Sequence, residues 1–176
     1  MEKKTVADYV LTIPDFPEEG IMFRDVTSVL QDADGLQLAI DELKARLEGV
    51  EFDVLAGAES RGFLFGAPLA YLLHKPFVLV RKKGKLPRAT VSKEYALEYG
   101  TAEIEMHTDA VQKGQKVVLI DDLIATGGTI KAAAELVEEL GGEVVKILFL
   151  LELEGLKGRD ALKGYNVDSI VKYPGK

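Results

Sequence analysis

Two acids stand side by side where an apolar run gives out. In VVLIDDLIATGGT (117–129), Val117 to Ile120 read as a buried strand, Asp121 and Asp122 stand at its end, and Thr126, Gly127, Gly128 and Thr129 open the next segment. Neighbouring carboxylates repel each other, so both stay ionised best when hydroxyls donate to them or a cation faces them. A Thr-Gly-Gly-Thr turn that begins a helix has the opposite preference. Its unpaired N–H groups and positive dipole end suit an anion, its glycines permit close backbone approach, and its hydroxyls add donors. A ligand with vicinal hydroxyls at one end and a phosphate at the other, such as a ribose 5-phosphate, meets both demands. The turn alone reads more simply as a helix N-cap, with Thr126 or Thr129 capping and the acids complementing the dipole. That reading leaves two acids at the end of an apolar strand unexplained. The stretch has neither the Gly-Lys-Ser/Thr of a Walker loop nor a G-x-G-x-x-G dinucleotide turn.

Four other stretches carry groups that could act on such a ligand. AGAESRG (56–62) follows an apolar run and precedes a helix, so the backbone of Ala58, Glu59 and Ser60 can face a second anion, with the Arg61 guanidinium beside it. It also reads as an ordinary turn with a Glu59–Arg61 surface ion pair. RKKGKLPR (81–88) crowds Arg81, Lys82, Lys83, Lys85 and Arg88 around Gly84 and Pro87, a reversal of sign in a chain of formal charge −7. By itself it is a solvated surface loop. Glu98, in LEYG, is either an exposed glutamate beside a turn or a carboxylate placed to take a proton. In MFRD (22–25), Met22, Phe23 and Arg24 read as a strand edge with a buried aromatic, Arg24 pairing with Asp25 or Glu19. His74 and His107 have no partners at metal-ligand spacing and read as surface or packing residues.

The elements that must hold these groups alternate in type. Residues 35–48 place Leu36, Ile40, Leu43 and Leu47 on one helical face, closed by Gly49. FDVLAG (52–57), FVLVR (77–81), 117–120 and EVVKILFLL (143–151) read as strands, and TAEIEMH (101–107) alternates with period two. FLFGAPLAYLL (63–73) is long enough for a helix, although Pro68 interrupts it, and TIKAAAELVEEL (129–140) is a helix ended by Gly141 and Gly142. Strands alternating with helices, without repeat or linker, indicate a three-layer α/β domain around a mainly parallel sheet. The first thirty residues and the last twenty, with a short strand at SIVKY, look like additions to it. In such a sheet, ligands bind beyond the carboxyl ends of the strands.

Composition narrows the classes further. A chain of 176 residues, 47% apolar and 29% charged, suits a single domain with a full core. The lack of cysteine excludes a disulfide scaffold, a thiol nucleophile and a zinc–thiolate site. The longest nearly apolar run, 63–73, is too short for a bilayer, and MEKKTVADYV meets Asp8 before an apolar signal region forms. The negative charge argues against nucleic acid as main partner. A cytoplasmic protein without a membrane partner is expected.

VVLIDDLIATGGT resembles the phosphoribosyl-pyrophosphate (PRPP) motif of the type I phosphoribosyltransferases. Three more stretches, in the right order, resemble the adenine-specific branch of that family. FPEEGIMFRDVT (16–27) is similar to its hood over the base, AGAESRGFLFG (56–66) to its pyrophosphate loop, and RKKGKLP to LEYG (81–100) to its flexible catalytic loop. With LKGRDAL (156–162) the resemblance covers nearly the whole chain. It implies one type I phosphoribosyltransferase domain over 1–176, with 1–34 as hood, and transfer of phosphoribose from PRPP to adenine, giving AMP and pyrophosphate. Mg²⁺ and a homodimer are implied with it.

The resemblance also implies roles. Asp121 and Asp122 would hold the ribose hydroxyls, directly or through Mg²⁺, while Ala125, Thr126, Gly127, Gly128 and Thr129 take the 5-phosphate. Ala58, Glu59, Ser60, Arg61, Arg81, Lys82 and Lys85 would receive pyrophosphate. Met22, Phe23, Arg24 and Leu123 would hold adenine, with Leu123 or Ile124 across the ring from Met22 or Phe23, and backbone groups near Met22 and Arg24 reading the base edge. Glu98 and Arg61 would be the catalytic residues, and a cis peptide in the 58–61 loop is common in the family. A transferase for another base and a PRPP sensor without turnover stay open as rivals. The intact LEYG and the lack of a separate basic recognition helix favour an enzyme.

Overall fold

The computed structural model describes residues 2–97 and 99–175, so Glu98 lies outside the described residues. Strands β1 (Leu11–Pro14) and β2 (Met22–Asp25) form a separate antiparallel ribbon, followed by a short α1 (Thr27–Leu30) and a longer α2 (Ala33–Ala45). Then come β3 (Val54–Ala58), α3 (Arg61–Leu73), β4 (Phe77–Lys82), β5 (Thr90–Ala96) and β6 (Thr101–His107). The chain continues through β7 (Lys116–Ile124), α4 (Gly128–Glu139), β8 (Glu143–Leu153) and β9 (Val167–Tyr173). Among the described residues no helix is long and apolar enough to cross a membrane.

The main sheet runs β5-β6-β4-β3-β7-β8-β9. The five strands from β4 to β9 are parallel, and β6 and β5 add an antiparallel edge, so the sheet is mainly parallel as the pattern predicts. Helix α4 covers one face and α2 with α3 the other. Along β7, Val117 and Leu119 enter the core under α4, while Val118 and Ile120 enter the core under α3. A strand buried on both faces needs no polar alternation, which is why 117–120 is uniformly apolar. On α2, the Asp32 carboxylate accepts from the Asp34 and Gly35 amides, and Ile40 and Leu43 are buried with Leu36 half-buried. The helix ends at Ala45, short of Gly49, and Leu47 is buried in the turn beyond it. From β3 the chain crosses to β4 on one side, and from β7 to β8 on the other. Strand order therefore reverses between β3 and β7, and a crevice opens outside their carboxyl ends.

Three elements differ from the sequence pattern. Pro68 lies inside α3 without interrupting it. The carbonyl its missing N–H leaves unmatched belongs to Leu64, which is on the exposed side of the helix where water can serve it. Residues 90–96, within the stretch resembling a flexible loop, are strand β5, registered against β6 from Thr90–His107 to Ala96–Thr101. Strand β7 does not stop at Ile120. It stays paired with β8 through Asp121–Phe149, Leu123–Leu151 and Ile124–Glu152, so the two acids sit within the strand and not beyond it.

Candidate active site

Two short loops face the crevice. One joins β3 to α3 through Glu59 and Ser60, whose peptide bond is cis. The other joins β7 to α4 through Ala125, Thr126 and Gly127. Gly127 is the N-cap of α4, at φ +85, and no side chain caps the helix. Capping by Thr126 or Thr129 is thereby excluded, and the first N–H groups of α4 are left without a side-chain acceptor. The conformation also needs glycine for space, since a Cβ on Gly127 would come within 2.6 Å of the Gly158 carbonyl oxygen. A Cβ on Gly158 would in turn lie 2.5 Å from the Ala125 oxygen. LKGRDAL is therefore the mould against which the loop is set. Arg159 fixes it, donating from Nε at 3.0 and 2.9 Å to the buried Glu152 carboxylate and from NH1 to the Val167 carbonyl.

The acids divide the crevice into two. Asp121, the 124–130 segment and Phe149 line a cavity of about 120 Å³ at the start of α4. Asp122 lines a second cavity of about 340 Å³, walled by Ile21, Met22, Phe23, Arg24 and Val26 on one side and Leu153 and Leu156 on the other. Leu123 borders both cavities, and Arg61 lines the second. Of the alternatives Leu123 and Ile124 for the base, only Leu123 reaches that cavity. Ile124 is buried and lines the smaller one.

Electrostatics within the crevice follow from this placement. Arg61 Nε lies 2.7 Å from Oδ2 of the buried Asp122, but off the line of a hydrogen bond, so that oxygen has a counter-charge and no donor. A sugar hydroxyl is the kind of group that would supply one. Asp121 Oδ1 accepts from the Asp122 amide at 2.8 Å. Burial, and then the charge of Asp122, push the Asp121 carboxyl well above the usual carboxylate range. Hydroxyl donors or a cation would reverse that shift.

Glu59 does not pair with Arg61. Its carboxylate accepts from the Lys82 amide and lies 3.3 Å from the Arg81 guanidinium, which ties the end of β4 to the β3 loop. Ala58, Glu59, Lys82, Tyr95 and Thr129 line a third cavity of about 110 Å³ between the two loops. Ser60 is exposed at the loop's tip. Lys85 is not brought to these cavities. The turn that bears it is held by its backbone, with the Lys85 and Leu86 amides donating to the buried Glu105 at 3.1 and 2.9 Å. Burial alone would raise the Glu105 carboxyl, yet the amides of Leu86, Gly84 and Lys85 outweigh it and hold the group below its usual range.

Arg24 pairs with neither Asp25 nor Glu19. It donates to the Thr12 hydroxyl at 2.6 Å and lies 4.1 Å over the Tyr173 ring, pinning the β1–β2 ribbon to the main sheet. Phe23 meets Phe16 edge-on at 5.1 Å. His107 contacts Arg88, and His74 ends α3. Among the described residues no three His, Cys, Asp or Glu side chains come together as a metal site.

Sequence reasoning missed Phe149, Leu153 and Leu156 as cavity walls, and it gave Tyr95 no chemistry. Leu156 lies in LKGRDAL, a stretch noticed without a role. The Tyr95 hydroxyl lies 2.9 Å from Thr129 Oγ1, a contact no local pattern foretells because the two residues are 34 apart.

The phosphoribosyl transferase domain model matches residues 27–173. A protein of Agathobacter rectalis named adenine phosphoribosyltransferase is 75% identical over 98% of this chain and 99% of its own length. The crystal structure of adenine phosphoribosyltransferase from Thermoanaerobacter pseudethanolicus superposes with a TM-score of 0.92 at 55% identity, covering 96% of this chain and 98% of that one. The Saccharomyces cerevisiae enzyme, complexed with D-2,5-dideoxy-2,5-imino-altritol 1,6-bisphosphate and adenine, gives 0.90 at 40% identity, over 94% and 96%.

Proposed function

The chain belongs to the adenine phosphoribosyltransferases of the phosphoribosyl transferase family, and from that premise we propose that it transfers the phosphoribosyl group of PRPP to adenine. The observation that carries the reading is the division of the crevice. An anion cavity at the start of α4 and a larger apolar cavity meet at two carboxylates, so a sugar held by the acids spans from phosphate to base. Ala125 to Thr129 take the 5-phosphate, and Asp121 and Asp122 the ribose hydroxyls. Adenine enters the larger cavity between Met22 or Phe23 and Leu123. One edge of β2 has no strand partner in its ribbon, so its N–H and C=O groups near Met22 and Arg24 are available to read the base edge.

In the reaction, adenine N9 bonds to the ribose C1 while the bond from C1 to the pyrophosphate oxygen breaks. The sugar carbon gains positive charge, the leaving group carries off the electron pair, and the N9 proton leaves to a base, the role we assign to Glu98. The backbone of Ala58, Glu59 and Ser60, with Arg61, Arg81 and Lys82, stabilises the departing pyrophosphate. Lys85 would reach the leaving group by movement of the turn after β4 over the crevice. Mg²⁺ suits this donor set, because it keeps several waters and binds through one or two carboxylates plus substrate phosphates without a dedicated protein cage. Asp121 is the carboxylate a cation would relieve, and Mg²⁺ would neutralise pyrophosphate charge when bound.

Residues 1–176 act as one domain with 1–34 as its hood, in the cytoplasm, as a homodimer. The last is supported by α3, whose inner residues Phe65 and Leu69 are buried while Leu64, Tyr71 and Leu72 on the outer side are 47%, 85% and 50% exposed. A helix apolar all round calls for cover on both sides. The test of the function is pyrophosphate release from PRPP and Mg²⁺ with each nucleobase in turn. Adenine alone should support turnover, and release with a 6-oxopurine but not adenine would overturn the assignment.

A further inference from the structure

We propose that Tyr95 is a positioning residue for the phosphate half of the site, aiming the Thr129 hydroxyl at the sugar phosphate. The inference rests on the reading above and goes beyond it. Thr129 lines both the anion cavity and the small cavity that reaches Glu59 and Lys82, and Tyr95 lines the second of these. Their hydroxyl oxygens are 2.9 Å apart, and either could donate. A phosphate oxygen settles the direction. It can only accept, so the single Thr129 proton goes to it, and the phenol, the more acidic hydroxyl, must donate to Thr129 Oγ1. The resulting chain, phenol to threonine to phosphate, polarises each bond in the same sense.

The phenol is held for this task. A Cβ on Gly128 would lie 3.5 Å from the Tyr95 ring, an ordinary contact distance, so the ring stands over the first turn of α4. Val91 and Tyr95 pack on the core under α4, and Lys93 between them pairs with Glu135 at 3.2 Å. Alternate residues of β5 therefore dock on α4.

The test is steady-state kinetics of the whole protein with Tyr95→Phe, Thr129→Val, Thr129→Ser and the Tyr95→Phe/Thr129→Val double variant. Tyr95→Phe keeps the ring and its packing, so a merely structural tyrosine predicts no kinetic change. Positioning predicts a KM for PRPP raised about five- to tenfold, the worth of one hydrogen bond, with the adenine KM unchanged. Thr129→Ser should retain most PRPP affinity, and the double variant should be no worse than Thr129→Val alone. An unaltered PRPP KM in Tyr95→Phe, or effects that multiply in the double variant, would overturn the proposal. A second readout is thermal stabilisation by inorganic phosphate, which should weaken in Tyr95→Phe. That readout decides this point even if the unsubstituted protein makes no AMP, a result that would sink the proposed reaction instead.

Discussion

Arg61 has two partners to serve. It neutralises the buried Asp122 and, in the proposed reaction, faces the leaving pyrophosphate. Arg61→Ala should lower kcat about 10²–10³-fold, the scale of losing one preorganised donor to a developing charge. Its melting temperature should fall only modestly, because Arg61 is half exposed and water replaces part of what is lost. Arg61→Lys restores the charge without the planar fork, so stability should recover further than turnover. Equal recovery of both would place the guanidinium's importance in its charge alone. Asp121 makes the opposite trade. Its carboxyl is raised in the folded protein, so folded molecules bind more protons than unfolded ones between the ordinary carboxylate range and the raised value. Stability is lost as pH climbs through that window. Asp121→Asn escapes this loss, so it should melt higher than the parent at neutral pH, with the gap closing in acid, while PRPP affinity falls. Thermal melts across pH, paired with titration of PRPP, check both halves.

At the scale of elements, the β7–α4 loop, proposed to take the sugar phosphate, is shaped from outside itself. Gly158→Ala would press a methyl group on the Ala125 backbone carbonyl, which cannot yield as a side-chain tip can, and on the side chain of the buried Ile124. The substitution should raise the KM for PRPP by tenfold or more and leave the adenine KM close to the parent value, as initial rates would measure. A parent-like PRPP KM would mean the mould has slack. The loop itself was legible in the sequence, because glycines, threonines and an apolar strand state their preferences locally. Strand β5 was not. TVSKEYA carries its alternation in Val91, Lys93 and Tyr95, but lysines, a glycine and a proline just upstream outweigh it, and its partners on α4 are far along the chain. The end of β7 was misjudged for a related reason: charge at Asp121 signals a boundary, whereas pairing with β8 carries the strand on to Ile124. Cavity walls such as Phe149 and Leu153 come from β8, whose apolar run from Ile147 to Leu151 does not separate core from binding surface.

For the whole molecule, α3 joins assembly to chemistry. Its first residue is Arg61, and its outer face is the apolar strip of Leu64, Tyr71 and Leu72. If a second copy covers that strip, Tyr71→Glu with Leu72→Asp should convert the dimer to monomer in sedimentation velocity, and activity should fall with it. A parent protein that sediments as a monomer at the same concentration would refute the pairing. The mainly parallel sheet and its helices were readable from periodicity, but strand order was not, since reversal between β3 and β7 is a property of crossovers and leaves no local mark. Chain order holds one more consequence. The residues that cast the phosphate loop, Gly158 and Arg159, are made some thirty positions after the loop they shape. A ribosome that has just finished α4 has produced the entire signature without its template, so the nascent chain would acquire the proposed grip on sugar phosphates only after β8 and the segment beyond it had emerged.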